Sequence, residues 1–179
     1  MRRAIWLAVA TGLLALSLAV PAGQAAEVTY DLLAKYILET VKAFRTAYVL
    51  LVVDHVRESG VQPKEDWVKD VHAIPLPAQF VKVAGGDIGS FEIGLIGLTP
   101  VYKSNLPKTK AEAQALEAMI ADPRQKMLTF EDGDQFKGLS ADFAIVQSCV
   151  DCHNTHPDSP KRDFRKGDVM GAIIVRFRK

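Results

Sequence analysis

Val169-Met170-Gly171-Ala172-Ile173-Ile174-Val175-Arg176-Phe177-Arg178 closes the chain with two interleaved rows of side chains. Val169, Gly171, Ile173, Val175 and Phe177 alternate with Met170, Ala172, Ile174, Arg176 and Arg178, a period of two that predicts a half-buried strand. Working back from it, residues 143–146, 136–139 and 127–130 are strand-length segments separated by Asp/Gly turns. Residues 91–98 make a further β-like stretch loosened by glycines. Residues 109–122 instead carry a helical period, with Ala111, Ala115, Leu116 and Ile120 on one side and Pro123 as the stop. Residues 29–58 predict one long amphipathic helix, in which Ile37, Val41, Phe44, Tyr48, Leu51 and His55 form a continuous stripe. Ser59-Gly60 ends it. Helices first and strands later, at hairpin spacing, argue an α+β domain built on an antiparallel sheet.

The segment joining the two halves is less regular. Residues 61–71 are mostly polar, with a short helix expected over 65–71. His72-Ala73-Ile74-Pro75-Leu76-Pro77 cannot be regular helix, because each proline pushes the residue before it towards extended geometry. Pro77 suits the first turn of a short helix running to Val83, and Gly85-Gly86 ends that helix.

The chain has 179 residues, 22 of them Lys or Arg and 21 Asp or Glu. So balanced a charge gives no basic surface for nucleic acid, and none is expected as a partner. Hydrophobic residues make up 49%, too many for a disordered chain. Two cysteines exclude a disulfide-stapled scaffold.

The first 26 residues read as a secretory signal. Arg2 and Arg3 form the positive start, 4–20 is nearly all apolar, and Gly23, Ala25 and Ala26 offer a peptidase site after Pro21. An uncleaved membrane anchor is the competing reading, since the largely apolar run of 17 residues reaches the lower limit for a span. Removing 1–26 leaves 20 basic residues against 21 acidic ones and one domain over 27–179. The expected location is the periplasm, with membrane attachment only if the segment stays uncleaved.

Cys149-Val150-Asp151-Cys152-His153 is the c-type haem attachment pattern. The two thiols add across the two vinyl groups of the porphyrin, and the adjacent imidazole is held beneath the iron. A thioredoxin-like disulfide would need a βαβ setting that is missing here. A zinc site from Cys149, Cys152, His153 and His156 would crowd four ligands into eight residues. A plain disulfide over so small a loop would stabilise little. One covalent haem c is therefore expected, with His153 as its proximal metal ligand. His55, His72, His156, Met119, Met127 and Met170 are the residues from which a sixth iron ligand could come. His156 follows His153 too closely to reach around the ring, and spacing alone does not separate His72 from His55.

These residues resemble a known family. Cys149 to Asn154, then Pro157-Asp158-Ser159-Pro160-Lys161 and Lys166-Gly167-Asp168-Val169-Met170-Gly171, are similar to the haem c-binding PAS-like domain. Asn105-Leu106-Pro107-Lys108, the helix from Ala111 to Ile120 and the segment from His72 to Pro77 share the likeness. That domain forms small secreted cyanobacterial and proteobacterial cytochromes and the extracytoplasmic sensor half of signalling proteins. The resemblance implies a PAS-like antiparallel sheet flanked by helices, with one haem c between the sheet and the N-terminal helical part. It also implies His72 as the second metal ligand, because family members place a distal ligand in the matching segment. No kinase, cyclase or methyl-accepting module follows Lys179, so a sensor would act through a partner protein.

Two functions follow as expectations. One is a periplasmic monohaem cytochrome, an electron carrier or redox sensor with a bis-histidine haem and no enzymatic activity. The alternative is a gas-sensing module with an open or weakly held sixth iron position. Either needs a redox partner or a signalling protein.

Overall fold

A computed structural model describes residues 28–179; the expected signal segment, 1–26, lies outside them. Thr29 starts the first helix, its hydroxyl accepting from the Leu32 N–H at 3.3 Å, and Asp31 complements the positive helix end. Helix α1 (Tyr30–Tyr48) runs directly into a π-helical turn, Val49–Val53, then the short α2 (Asp54–Val56) and a 3-10 turn, Arg57–Ser59. Gly60 ends the rod with φ of 81°, a left-handed conformation that glycine adopts without a Cβ penalty.

The long helix is present, but the predicted stripe is displaced. Phe44 is 65% and Leu51 72% exposed, and His55 is exposed too. The buried line is Ala34, Leu38, Val49 and Val53, with Ile37 and Val41 packed beside its first half. A strict α-period carries later residues progressively around the axis. The π turn admits an extra residue and brings Val53 back under Val49. Nothing in the residue pattern announced that turn.

After Gly60 the chain forms β1 (Gln62–Lys64), a 3-10 turn at Trp67–Lys69 where a helix was expected, and β2 (Ala73–Pro75), parallel to β1. Helix α3 (Pro77–Gly86) begins at Pro77 as predicted, and β3 (Glu92–Ile96) follows. Tyr48 ties this region to α1: its ring stacks on Phe80 at 4.6 Å and its hydroxyl donates to the Pro75 carbonyl at 2.7 Å. Helix α4 (Lys110–Ala121) is capped by Thr109. It buries Glu112, Ala115, Leu116 and Met119, so its inner face is turned away from Ile120 towards a carboxylate that the apolar pattern did not reveal.

Strands β4 (Met127–Asp132) and β5 (Gln135–Phe143) form a hairpin, α5 (Gln147–Thr155) follows, and β6 (Val169–Arg178) ends the fold. The expected segments 136–139 and 143–146 resolve into the single strand β5 followed by irregular chain. The antiparallel sheet has the order β3-β6-β5-β4, as the α+β reading requires. Its central strand is not half-buried: residues 171–177 are all buried. Ile173, Val175 and Phe177 meet Ala34 and Leu38 of α1, whereas Ala172 and Ile174 meet Leu116 and Met119 of α4. Helices cover both faces, so both rows of β6 lie in core.

One row on the α4 side is charged. Glu92, Arg176 and Lys137 are register neighbours across β3, β6 and β5. Glu112 descends onto them, accepting from Arg176 Nε at 2.7 Å and Nη2 at 2.9 Å and from Lys137 Nζ at 2.8 Å. Asp132 takes a second bond from Lys137 at 2.6 Å, and Glu92 one from Arg176 at 2.8 Å. This buried cluster leaves the opposite end of the sheet, where β3 stops and β6 begins, to border the cavity described next.

Candidate functional site

The Cys-x-x-Cys-His run lies on α5. On a helix, residues spaced by three and four share a face, so Cys149, Cys152 and His153 project to one side. Val150, beside that face, is buried and fixes the helix against the core. Asn154 clamps the following loop: its Nδ2 donates to the Phe164 carbonyl at 2.9 Å, and its Oδ1 accepts from the Phe164 N–H at 3.0 Å. Phe164 is buried and meets the His153 ring edge-on, with centroids 5.8 Å apart. Asn154 and Phe164 thus orient His153, a role that spacing could not show.

Cys149, Cys152 and His153 all line a cavity of about 590 Å³, within the usual range for ligand pockets. Arg45, Val49 and Val53 supply one wall from α1 and its π turn. Leu95 and Ile96 of β3 with Met170 and Ala172 of β6 supply another. Pro63 of β1 and Glu65 just beyond it, Leu76 and Pro77 at the head of α3, and Tyr102 complete it.

The electrostatics of the wall suit a neutral ligand imidazole. Burial, with smaller effects from Arg45 and His156, lowers the His153 pKa to about 4, so its lone pair is free at neutral pH. Burial, with Cys149 and Glu65, pushes the Cys152 thiol up. Burial and the Glu65 carboxylate also raise the Tyr102 phenol. Glu65 Oε1 lies 3.0 Å from His156 Nε2, and His156 Nδ1 accepts from the Asp158 N–H at 3.2 Å, which leaves the ring proton on Nε2 facing Glu65.

Two polar atoms fix the fit of a cofactor. Among the described residues, the buried side-chain atoms without a hydrogen-bond partner are Arg45 Nε and Asn105 Oδ1, and both residues line this cavity. Buried polar groups are nearly always satisfied, so each of these atoms is open to pairing with a polar group of a bound cofactor. Two thiols, a neutral imidazole, apolar walls and unsatisfied polar atoms at one cavity fit a haem c.

The remaining predicted ligands are placed as follows. His72 is exposed in the turn before β2, where its N–H is held by Asp70 Oδ1 at 2.9 Å, and it is not part of the cavity wall. The extended segment reaches the cavity only at Leu76 and Pro77, so the proline brace presents those residues and leaves His72 behind. His55 is exposed on α2, also off the wall. Met119 is fully buried under α4, and Met127 packs on the α1 side of the sheet. Met170 and His156 do line the cavity, His156 at the C-terminal cap of α5 and turned to Glu65. The structure therefore gathers Cys149, Cys152 and His153 but does not bring His72 to them.

The fold is similar to that in the crystal structure of the cyanobacterial heme-protein Tll0287, with a TM-score of 0.61 and 15% identity over 85% of this chain and 98% of that one. At that identity the likeness is one of fold. No curated protein matches the sequence. A family model described as Tll0287-like matches residues 23–178, nearly the whole span of the described fold. The chain belongs to the Tll0287-like family.

Proposed function

We propose that the chain is a periplasmic monohaem c-type cytochrome that carries electrons or senses redox state. The observation that carries this reading is the helix face of Cys149, Cys152 and His153 opening on a cavity whose wall holds both unpartnered buried polar atoms. The likeness to Tll0287, a cyanobacterial heme-protein, supports it. When bound, haem supplies a one-electron iron couple whose potential follows its axial ligands and the burial of the ring. Cys149 and Cys152 would hold the porphyrin edge by thioether bonds. His153, neutral and braced by Phe164, would ligate the iron, and Val49, Val53 and Ile96 would keep water from the ring. The role proposed is transfer or sensing through a partner, either a redox protein or a signalling protein. Cleavage of 1–26 would release the domain to the periplasm, whereas an intact segment would keep it on the membrane.

The sixth position separates two readings. His72 serves as ligand in the bis-histidine form, which requires the 70–72 turn to give up its Asp70 bond and swing over the cavity. The placement of His72 and His55 off the wall favours the second reading, a module whose sixth position is open or weakly held and accepts a gas. A reduced-minus-oxidised spectrum of purified holoprotein, with and without carbon monoxide, tests both. An unchanged low-spin spectrum under carbon monoxide supports the bis-histidine cytochrome, and a carbon monoxide complex supports the gas-sensing module. A mature protein with a Cys149–Cys152 disulfide and no haem, made in cells with a working haem c assembly system, overturns both.

A further inference from the structure

The wall formed by α1 and its π turn is not uniform. Arg45, Val49, Val53 and Arg57 follow one another at four-residue steps, and all four face the cavity. Twelve residues of helix separate the two arginines by about 18 Å. Their surroundings differ. Arg57 Nη2 lies 4.0 Å from Oδ2 of Asp151, one of the two residues between the cysteines. Arg57 therefore stands at the thioether edge of the site. Arg45, three turns back, has only 13% of its side chain exposed and is pinned through Nη1 to Asp142 Oδ1 at 2.7 Å. Its Nε is buried and has no partner.

A haem c fixes which of its groups goes to which end. The former vinyl groups, bonded to the cysteines, and the two propionates leave the macrocycle at opposite edges. With Cys149 and Cys152 at the Arg57 end, the propionates belong at the Arg45 end. Val49 and Val53 between the arginines offer the apolar face that the ring needs. We propose that Arg45, held by Asp142, binds a haem propionate carboxylate through its free Nε, and that it orients the ring along α1. A guanidinium already committed to one carboxylate through Nη1 keeps Nε in a fixed plane, and that rigidity is what lysine at this position would lack. Asn105, the other residue with an unpartnered atom on the wall, is not needed for this assignment.

The proposal rests on the haem reading above, and the test separates the two. Holoprotein is prepared as wild type, Arg45→Gln, Arg45→Lys and Arg57→Gln. Haem per chain is counted by the pyridine haemochromogen, the propionate bending band is followed by resonance Raman, and the midpoint potential is measured by spectroelectrochemistry. Arg45→Gln should keep one haem per chain, shift the propionate band and lower the midpoint, because a positive charge that favours the reduced iron is gone. Arg45→Lys should keep most of the midpoint and still shift the band. Arg57→Gln should leave the band in place. An Arg45 with only a structural role would change the melting temperature and leave band and midpoint unmoved. That result, or a band shift in Arg57→Gln alone, overturns the assignment of Arg45 while leaving the haem reading intact. A wild-type chain that takes up no haem overturns both.

Discussion

Cys152 and His153 are neighbours on α5, yet replacing them should give different products. Cys152→Ala leaves Cys149 and the imidazole, so haem can be held by one thioether, and mass spectrometry should find no two-bond adduct. His153→Ala removes the imidazole proposed as the proximal ligand, which Phe164 braces, and little mature cytochrome with a low-spin spectrum should accumulate. A normal low-spin spectrum from that variant would show that another residue ligates. The opposite side of the iron is settled by two further variants. His72→Ala should turn a low-spin haem into one that accepts carbon monoxide, if the 70–72 turn swings in. Met170→Leu, which changes the wall in contact with the cavity, should do so instead if the sheet supplies the ligand. His55→Ala, an exposed site on α2, should change neither. The grouping of Cys149, Cys152 and His153 at one cavity was legible because their spacing falls within one helical turn. A sixth ligand has no such local constraint, so nothing in the order of residues could choose between His72, His55 and Met170. Asn154 and Phe164 escaped notice for the same reason, since their contact with each other crosses ten residues of loop.

At the scale of elements, the contact between α1 and β5 decides where the Arg45 wall stands. Gly138 lies beneath α1, and a Cβ there would sit 2.9 Å from the Ala34 Cβ and 3.0 Å from Leu38 Cδ1. The Leu38 tip could turn aside, but the Ala34 Cβ is fixed to the helix and cannot yield without moving it. Gly138→Ala should therefore destabilise the domain by about 1–3 kcal/mol, read as a lower urea midpoint. It should also perturb the haem spectrum, because α1 carries Val49 and Val53 to the cavity. A variant of unchanged stability would mean that α1 floats on the sheet. This contact also shows what periodicity can and cannot reveal. The alternation in β6 correctly gave a strand, since backbone pleating imposes period two whatever lies outside. It could not give burial on both faces, because that depends on α1 and α4 arriving from distant sequence. The α1 stripe failed differently: its period was read as pure α, and the π turn at Val49–Val53 reset the phase that places Val53 in the core.

At the scale of the whole molecule, the charged row across the sheet should govern acid stability. Glu112 is fully buried between α4 and the sheet. Burial pushes its pKa up, but hydrogen bonds from Arg176, Lys137 and the Lys108 backbone outweigh that and hold it at about 2, against an ordinary 4.5. A carboxylate whose folded pKa is depressed stabilises the fold above its unfolded pKa, and that stabilisation fades as pH falls through the folded value. The contribution of Glu112 is thus complete above about pH 5 and is lost between 4.5 and 2. The depression corresponds to about 3 kcal/mol. Lys137 pulls the Asp132 pKa down as well, so Asp132 adds in the same direction. Asp142 runs the other way: burial raises its pKa, so protonation on acidification relieves the folded state. The row on the α4 side should prevail, because Arg176 and Lys137 are both buried and have no water to turn to. Glu112→Gln should lower stability near pH 7 by about 3–5 kcal/mol, as two buried cations lose their shared anion. It should also flatten the decline between pH 4.5 and 2. Urea unfolding of wild type and variant at several pH values would show both effects, and parallel stability curves would mean that Glu112 does not set the acid limit.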